Sequence, residues 1–335
     1  MLSTDIHLAS EKLRSGEVVA FPTETVYGLG ADATNESAIA KIYRTKGRPG
    51  NNPLIIHTDC VDSVARYVTL RERSRVMGQF LRLQHLWPGP LTIVFPDKHD
   101  SICDLATSGL TSVGVRVPNH PIARELLAAT DLPIAAPSAN RSTYVSATTA
   151  QHVSDCFGQD LFILDGGQTS VGLESTIVKI EENGPAQLLR AGLIRQEELS
   201  EALGELVELG PKLGGAPGRE KDCAMLSPGQ FRKHYSPKTP VRLFNDRGSL
   251  ASFIEQNSKQ STGLLLFSKE TAIHGKNSVL RTLSESGDHH ECAQNLYAAL
   301  RELDNRQLDL ICIERPKNGP LYEALIDRIE RAAEK

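Results

Sequence analysis

The sequence predicts an α/β protein in two units, a twisted open mixed sheet followed by a smaller, Rossmann-like parallel sheet. Three observations carry this. Through the first two hundred residues, short Val- and Ile-rich runs alternate with amphipathic segments. From about Gly204 the texture changes, and "LGPKLGGAPGREKDCAMLSPGQFRKHYSPKTP" holds no sustained period, so it reads as a long connection. In the last hundred residues, strand and helix patterns alternate strictly, the mark of a parallel sheet with crossover helices. The expected divisions are 1–205, a linker over 206–238 that can serve as a lid, and a second domain over 239–335.

In order along the first unit, the strand candidates are "EVVAF", "NPLIIH", "LTIVF", "SVGVRV", "LPIAA", "LFILD", "ESTIVKI" and "AQLLR". As a group they are rich in Val and Ile and bounded by Pro, Gly or Asn. A helix is expected from Asn35, as N-cap, to a stop at Gly47, with Ile39, Ile42 and Tyr43 on one face. Further helices are expected over 71–86, 121–129 and 148–156, and "ENG" near 181–184 marks a hairpin turn. The "TET" after "EVVAF" and the two glycines behind it read as the end of a strand. The working face is expected in loops at strand ends. In the second unit, strands "VRLF", "GLLLF", "SVLRTL" and "LDLICI" alternate with helices over 248–258, 289–304 and 320–333. That unit lacks G-x-G-x-x-G, so dinucleotide binding there has no support.

Bulk composition narrows the function. The 335 residues are 40% hydrophobic and 23% charged, ordinary for a globular protein. A net charge of −4 argues against a dedicated nucleic-acid coat, which needs a basic footprint, but allows a local basic pocket. Six scattered cysteines without a C-x-x-C pair read as reduced thiols, and the start of the chain has no signal-peptide pattern. A cytoplasmic protein without membrane contact is therefore expected.

The chain has no P-loop, H-E-x-x-H or G-x-S-x-G, and its ten histidines do not fall at zinc-ligand spacing. His289 and His290 with Cys292 read as a solvated helix end. Polar clusters remain, each at the edge of an apolar run: Thr23, Glu24 and Thr25; Lys46 and Arg48; His57; Arg116; Ser138 and Asn140; Ser175 and Thr176; Arg190. Singly, each has a structural account, as a cap, a turn or a helix-dipole partner. Arg116 is harder to explain that way, because a guanidinium flanked by Val113, Val115 and Val117 must face a partner or a cleft. Together these types suit anions: Lys and Arg neutralise phosphate or carboxylate, and hydroxyls complete a cradle. No nucleophile–base pair is evident, so catalysis by positioning and charge stabilisation is expected.

The segments "PTETVYGLGADA", "KGRPGNNPLIIH", "WPGPLT", "VGVRVPNHP", "PIAAPSAN", "DGG", "GLESTIV" and "LLRAG" resemble, in order and spacing, the YrdC-like family. With "SPGQFRKHYSPKTP" and the extra C-terminal unit, the chain is similar to its long two-domain form, the threonylcarbamoyl-AMP synthases. The resemblance spans roughly residues 15–240 in motifs. It implies a twisted sheet with a large concave, positive cavity. It further implies a nucleotidyltransferase reaction of L-threonine, bicarbonate or CO2, and ATP, giving threonylcarbamoyl-AMP and pyrophosphate. A separate tRNA threonylcarbamoyl transferase system would use that product at tRNA position 37, and direct tRNA binding is left open.

Carried over by position, the resemblance implies that Lys46 and Arg48 are catalytic and hold the ATP phosphates, with Gly50 meeting the nucleotide through its backbone. Thr23, His57, Arg116, Ala136 and Ser175 would bind threonine, Arg116 through the carboxylate. Ser138 and Asn140 would meet the phosphates and their magnesium. Ser146, Arg190 and Tyr235 would complete the ATP site, Tyr235 closing from the linker. Here "RSTYVSATTA" stands where family members carry Ser-Pro-Thr, and "LLRAG" replaces Arg-Pro-Gly. Two other readings are a carbamoyl-transfer enzyme and a non-catalytic, translation-associated RNA-binding module. The first would carry acylphosphatase and zinc-finger segments absent here, and the acidic balance counts against the second.

Overall fold

In a computed structural model of the chain, residues 1–211, 234–269, 275–316 and 322–334 are described. The expected linker lies largely outside the described residues. The protein forms two compact units that interleave in sequence. The first contains Met1–Ser142, Ala147–Thr169 and the chain from Glu174; the second contains Thr143–Ser146, Ser170–Leu173 and the described residues from His234.

The first unit runs β1 (Leu2–Ser3), α1 (Ile6–Arg14), β2 (Val19–Phe21), β3 (Gly28–Asp32), α2 (Glu36–Lys46), β4 (Ile55–His57) and α3 (Arg75–Leu83). Then follow β5 (Leu91–Phe95), α4 (Asp104–Thr107), β6 (Val113–Arg116), α5 (Pro121–Thr130), β7 (Ile134–Ala135), α6 (Ala150–Phe157) and β8 (Phe162–Leu164). It ends with β9 (Thr176–Lys179), β10 (Gln187–Arg190), α7 (Gln196–Leu203) and β11 (Glu208–Leu209). The strands form one 11-stranded mixed sheet in the order β1-β8-β2-β3-β7-β4-β6-β5-β9-β10-β11. Parallel neighbours such as β4–β6 and β5–β9 alternate with antiparallel ones such as β4–β7, β5–β6 and β9–β10.

Helix α2 follows the sequence closely. The Asn35 side chain accepts a hydrogen bond from the Ala38 amide, and Gly47 closes the helix in the left-handed region at φ 63°. Strand β3 departs from expectation: Gly28 and Gly30 lie inside a strand rather than in a loop beyond one. A Cβ on Gly30 would stand 2.7 Å from both the Ile134 side chain and the Phe21 ring, so glycine here lets neighbouring side chains cross the strand. Propensity alone reads such a stretch as a turn.

Side chains alternate between the two faces of the sheet. Leu29, Ile56, Ile93, Val115, Val117 and Val178 point into one large core. Their neighbours point the other way, and that second face has two halves. Over β8, β2, β3 and β7 it is apolar: Val19, Phe21, Ile134, Ala136 and Phe162 pack with Leu13 of α1 and Leu126 of α5. Over β4, β6, β5 and β9 the apolar cluster shrinks to Ile55, Val94 and Ile177. The alternation places His57, Arg116 and Thr92 on this half.

The second unit contains β12 (Val241–Phe244), α8 (Arg247–Gln256), β13 (Thr262–Leu266), β14 (Ser278–Thr282), α9 (His289–Asp304), β15 (Leu310–Glu314) and α10 (Tyr322–Ala333). Its four strands are parallel in the order β12-β15-β13-β14, as the strict alternation predicted. Phe244, Leu250, Ile254, Leu264, Leu266 and Cys312 form its core beneath α8. The two inserted segments belong here: Arg301 of α9 donates to the carbonyls of Val145 (2.5 Å) and Ser146 (3.0 Å). Tyr144 donates to Asp304 at 2.8 Å.

Candidate active site

Three groups of the expected residues come together on the first unit. The first is centred on Arg116, the last residue of β6, directly opposite His57 of β4 in the parallel ladder. Its Nη2 lies 2.8 Å from Oε2 of Glu24, and both side chains are only 5% exposed. The approach is close but poorly aimed: Nε and Nη2 of Arg116 and both Glu24 oxygens engage no hydrogen-bond partner. Burial first, and then the charge of Arg116, lower the His57 pKa to about 3, so its imidazole is neutral at physiological pH. Its Nδ1 sits 3.1 Å from the Ile55 carbonyl oxygen, and its ring meets Phe21 edge-on at 5.9 Å.

Glu24 reaches this position because Thr23 staples its loop. The Thr23 hydroxyl donates to the Val26 carbonyl at 2.7 Å and accepts from the amides of Thr25 (3.2 Å) and Val26 (3.3 Å). Thr23, expected to touch threonine, is thus engaged in shaping the loop. Ala136 is buried next to these residues, its amide donating to the Ile55 carbonyl at 2.9 Å.

The second group gathers at the end of α2. Lys46 is 3% exposed, and its ammonium donates to the carbonyls of Ser138 and Asn140, both at 2.5 Å. Burial, reinforced by the nearby charge of Arg48, pushes its pKa well below the usual lysine value. The segment carrying Ser138 is anchored as a further antiparallel pairing: Gly28 bridges Ser138, and the Ala139 amide donates to the Tyr27 carbonyl at 2.7 Å. Arg48 is clamped by Asn52 and Pro53, donating to their backbone carbonyls at 3.1 Å and 2.9 Å. Gly50 is exposed, and a Cβ there would meet nothing within 4 Å, so packing does not demand glycine.

The third group joins Ser175 and Arg190. Arg190 donates from Nε to the Ser175 carbonyl (3.0 Å) and from Nη2 to its hydroxyl (3.1 Å), while Thr92 Oγ1 lies 2.8 Å from the same hydroxyl. A residue expected at ATP and one expected at threonine are therefore neighbours. Ser146 and Tyr235 are built into the second unit. The Tyr235 ring is 1% exposed, stacks on Tyr297 at 5.7 Å and lies beneath the Arg328 guanidinium at 5.2 Å.

The expected residues sit at strand ends and in the loops beside them: His57, Arg116 and Arg190 close β4, β6 and β10, Thr23 and Ser138 follow β2 and β7, and Ser175 precedes β9. Sequence reasoning left Glu24, Thr92 and Asn52 without roles. The signal for Glu24 was the need of a buried Arg116 for a counter-charge, but nothing in the sequence says which carboxylate supplies it. Among the described residues, no group of three His, Cys, Asp or Glu side chains is placed to hold a metal ion. No helix among them is long and apolar enough to cross a membrane.

Fold and site define an α/β protein whose mixed sheet gathers cationic and hydroxyl side chains suited to small anionic ligands. Comparisons make this specific. A Sua5–YciO–YrdC family model described as telomere recombination matches residues 11–192. One described as the threonylcarbamoyl-AMP synthase C-terminal domain matches 194–334. The Bacillus subtilis threonylcarbamoyl-AMP synthase is 35% identical over 330 residues, covering 97% of this chain and 92% of that protein. The Schizosaccharomyces pombe protein of the same name is 34% identical over 348 residues, covering 94% and 84%. Crystalline Pyrococcus abyssi Sua5, complexed with L-threonine, superposes with a TM-score of 0.85 at 33% identity, covering 98% of this chain and 94% of that one. The chain belongs to the threonylcarbamoyl-AMP synthase family.

Proposed function

We propose that this protein makes L-threonylcarbamoyl-AMP from L-threonine, bicarbonate or CO2, and ATP, releasing pyrophosphate. The observation that carries the reading is the buried Arg116, whose hydrogen-bonding edge is incompletely used beside a neutral His57. A guanidinium in that state is matched to a carboxylate, and Arg116 would take that of threonine. The threonine amine adds to CO2, giving a carbamate and releasing a proton; with bicarbonate the same addition releases water. A carbamate oxygen then bonds to the α-phosphorus of ATP as the bond to pyrophosphate breaks.

Charge builds on the phosphate oxygens and on the departing pyrophosphate. Lys46 and Arg48 are suited to stabilise it, Lys46 already held in place by two carbonyls. The phosphate's negative charge would favour the charged form of Lys46 and oppose the effect of its burial. Gly50, Asn140, Ser146, Arg190 and Tyr235 are assigned to ATP by the family resemblance, and Thr23, Ala136 and Ser175 to threonine. Magnesium fits as an ion carried chiefly by the ATP phosphates, with Ser138 and Asn140 offering oxygen donors; it would draw charge from the phosphates. The product would pass to a separate transferase acting on tRNA. None of the five described cysteines forms a disulfide, which supports work in a reducing cytoplasm.

Pyrophosphate release from ATP, measured with and without each co-substrate, tests the reading. Release requiring both L-threonine and bicarbonate is expected. Dependence on carbamoyl phosphate would select the carbamoyl-transfer alternative, and RNA binding without turnover the non-catalytic one.

A further inference from the structure

A buried ion pair offsets its desolvation only with good geometry and additional hydrogen bonds. Glu24 and Arg116 lack both: they approach to 2.8 Å at 5% exposure, yet four of their polar atoms engage no hydrogen-bond partner. The neighbouring groups do not relieve this. Burial keeps His57 neutral, and burial likewise lowers the pKa of His120 against the opposing influence of Glu24. The Thr23 hydroxyl is occupied by its own loop. That staple also fixes the direction of Glu24, so its aim is a property of the fold.

Both deficits are met at once by a ligand that carries a carboxylate and, two bonds from it, a cationic donor. That is the chemical description of an α-amino acid. We infer that Glu24 binds the amino group of the amino-acid substrate while Arg116 binds its carboxylate. The inference rests on the synthase reading and deepens it by assigning the substrate's second charge. It gives the site a means of rejecting hydroxy acids and simple carboxylates, which would leave Glu24 unpaired. Conversion of the amine to a carbamate replaces a cation by an anion, which Glu24 repels. Its contact therefore belongs to the ground state, and its loss raises KM for threonine without lowering kcat.

The test is calorimetric binding to the full chain of L-threonine and of (R)-3-hydroxybutyrate, which keeps the carboxylate and hydroxyl but lacks the amine. The unaltered protein should bind threonine at least about tenfold more tightly than the analogue. Glu24→Gln should weaken threonine by about 10- to 100-fold and leave the analogue unweakened. The inference is overturned if threonine binds the variant as before, or if both ligands weaken equally. It is also overturned if the unaltered protein fails to discriminate the two, a comparison that needs no folded variant. Absence of any threonine binding by the unaltered protein would instead overturn the synthase reading itself.

Discussion

The two halves of one sheet face obey different rules. Over β2, β3 and β7 the face is covered by α1 and α5, with Val19, Phe21, Ile134 and Ala136 in one apolar cluster. Over β4, β6, β5 and β9 the same alternation delivers Arg116, His57 and Thr92 to positions just as buried. A buried polar row costs free energy unless it is paired, so it marks this half as the candidate binding region. In the second unit the sheet packs Phe244, Leu264, Leu266 and Cys312 beneath α8, and its buried Glu314 is paired with Arg247.

The largest effect expected from breaking this contrast is at Arg116. Arg116→Met strands Glu24 in the interior, so urea titration should show a loss of about 3–5 kcal/mol, and threonine-dependent pyrophosphate release should vanish. Retained turnover would remove Arg116 from the site. Next is Lys46→Ala, which removes a charge from the phosphate side and should lower kcat/KM for ATP by about 10²- to 10³-fold, with a stability cost of about 1–3 kcal/mol from the two carbonyls it leaves without a donor. In the apolar half the pattern inverts. Leu126→Ala should cost about 2–5 kcal/mol of stability while the folded fraction binds threonine with unchanged affinity.

A subtler distinction comes from acid. The folded His57 pKa of about 3 lies below the ordinary 6.5, so the unfolded chain takes up a proton that the folded protein refuses. Its contribution to stability is intact above pH 6.5 and declines as pH falls toward 3, by at most about 1.4 kcal/mol per pH unit. His57→Gln should flatten that part of the profile, and an unchanged slope would show that His57 titrates normally. The smallest effect is at Thr92. Thr92→Val removes the hydroxyl beside Ser175 and should raise KM for threonine a few-fold, without altering kcat, if Ser175 serves that substrate.

What was legible in the chain follows the range of the forces involved. Helix α2, with its Asn35 cap and Gly47 stop, is decided by contacts a few residues apart, and it stands as read. The parallel second sheet follows from strict alternation, again a local pattern. Strand β3 escaped because its glycines answer to Phe21 and Ile134, which approach from other strands. The segments Thr143–Ser146 and Ser170–Leu173, which pack in the second unit, carry no local sign of it, since backbone carbonyls held by Arg301 look the same in any sequence.

By itself, then, the sequence determined which chemistries were available: a lysine and arginines at strand ends, hydroxyls to accompany them, and an order of motifs pointing to one family. Only the tertiary structure decided which of these meet. It placed Arg116 against Glu24 rather than solvent, Lys46 beneath two carbonyls, and His57, Arg116 and Thr92 on one half of a face. Pairing across a sheet depends on strand order, and strand order is set by the packing of the whole chain rather than by any short stretch of it.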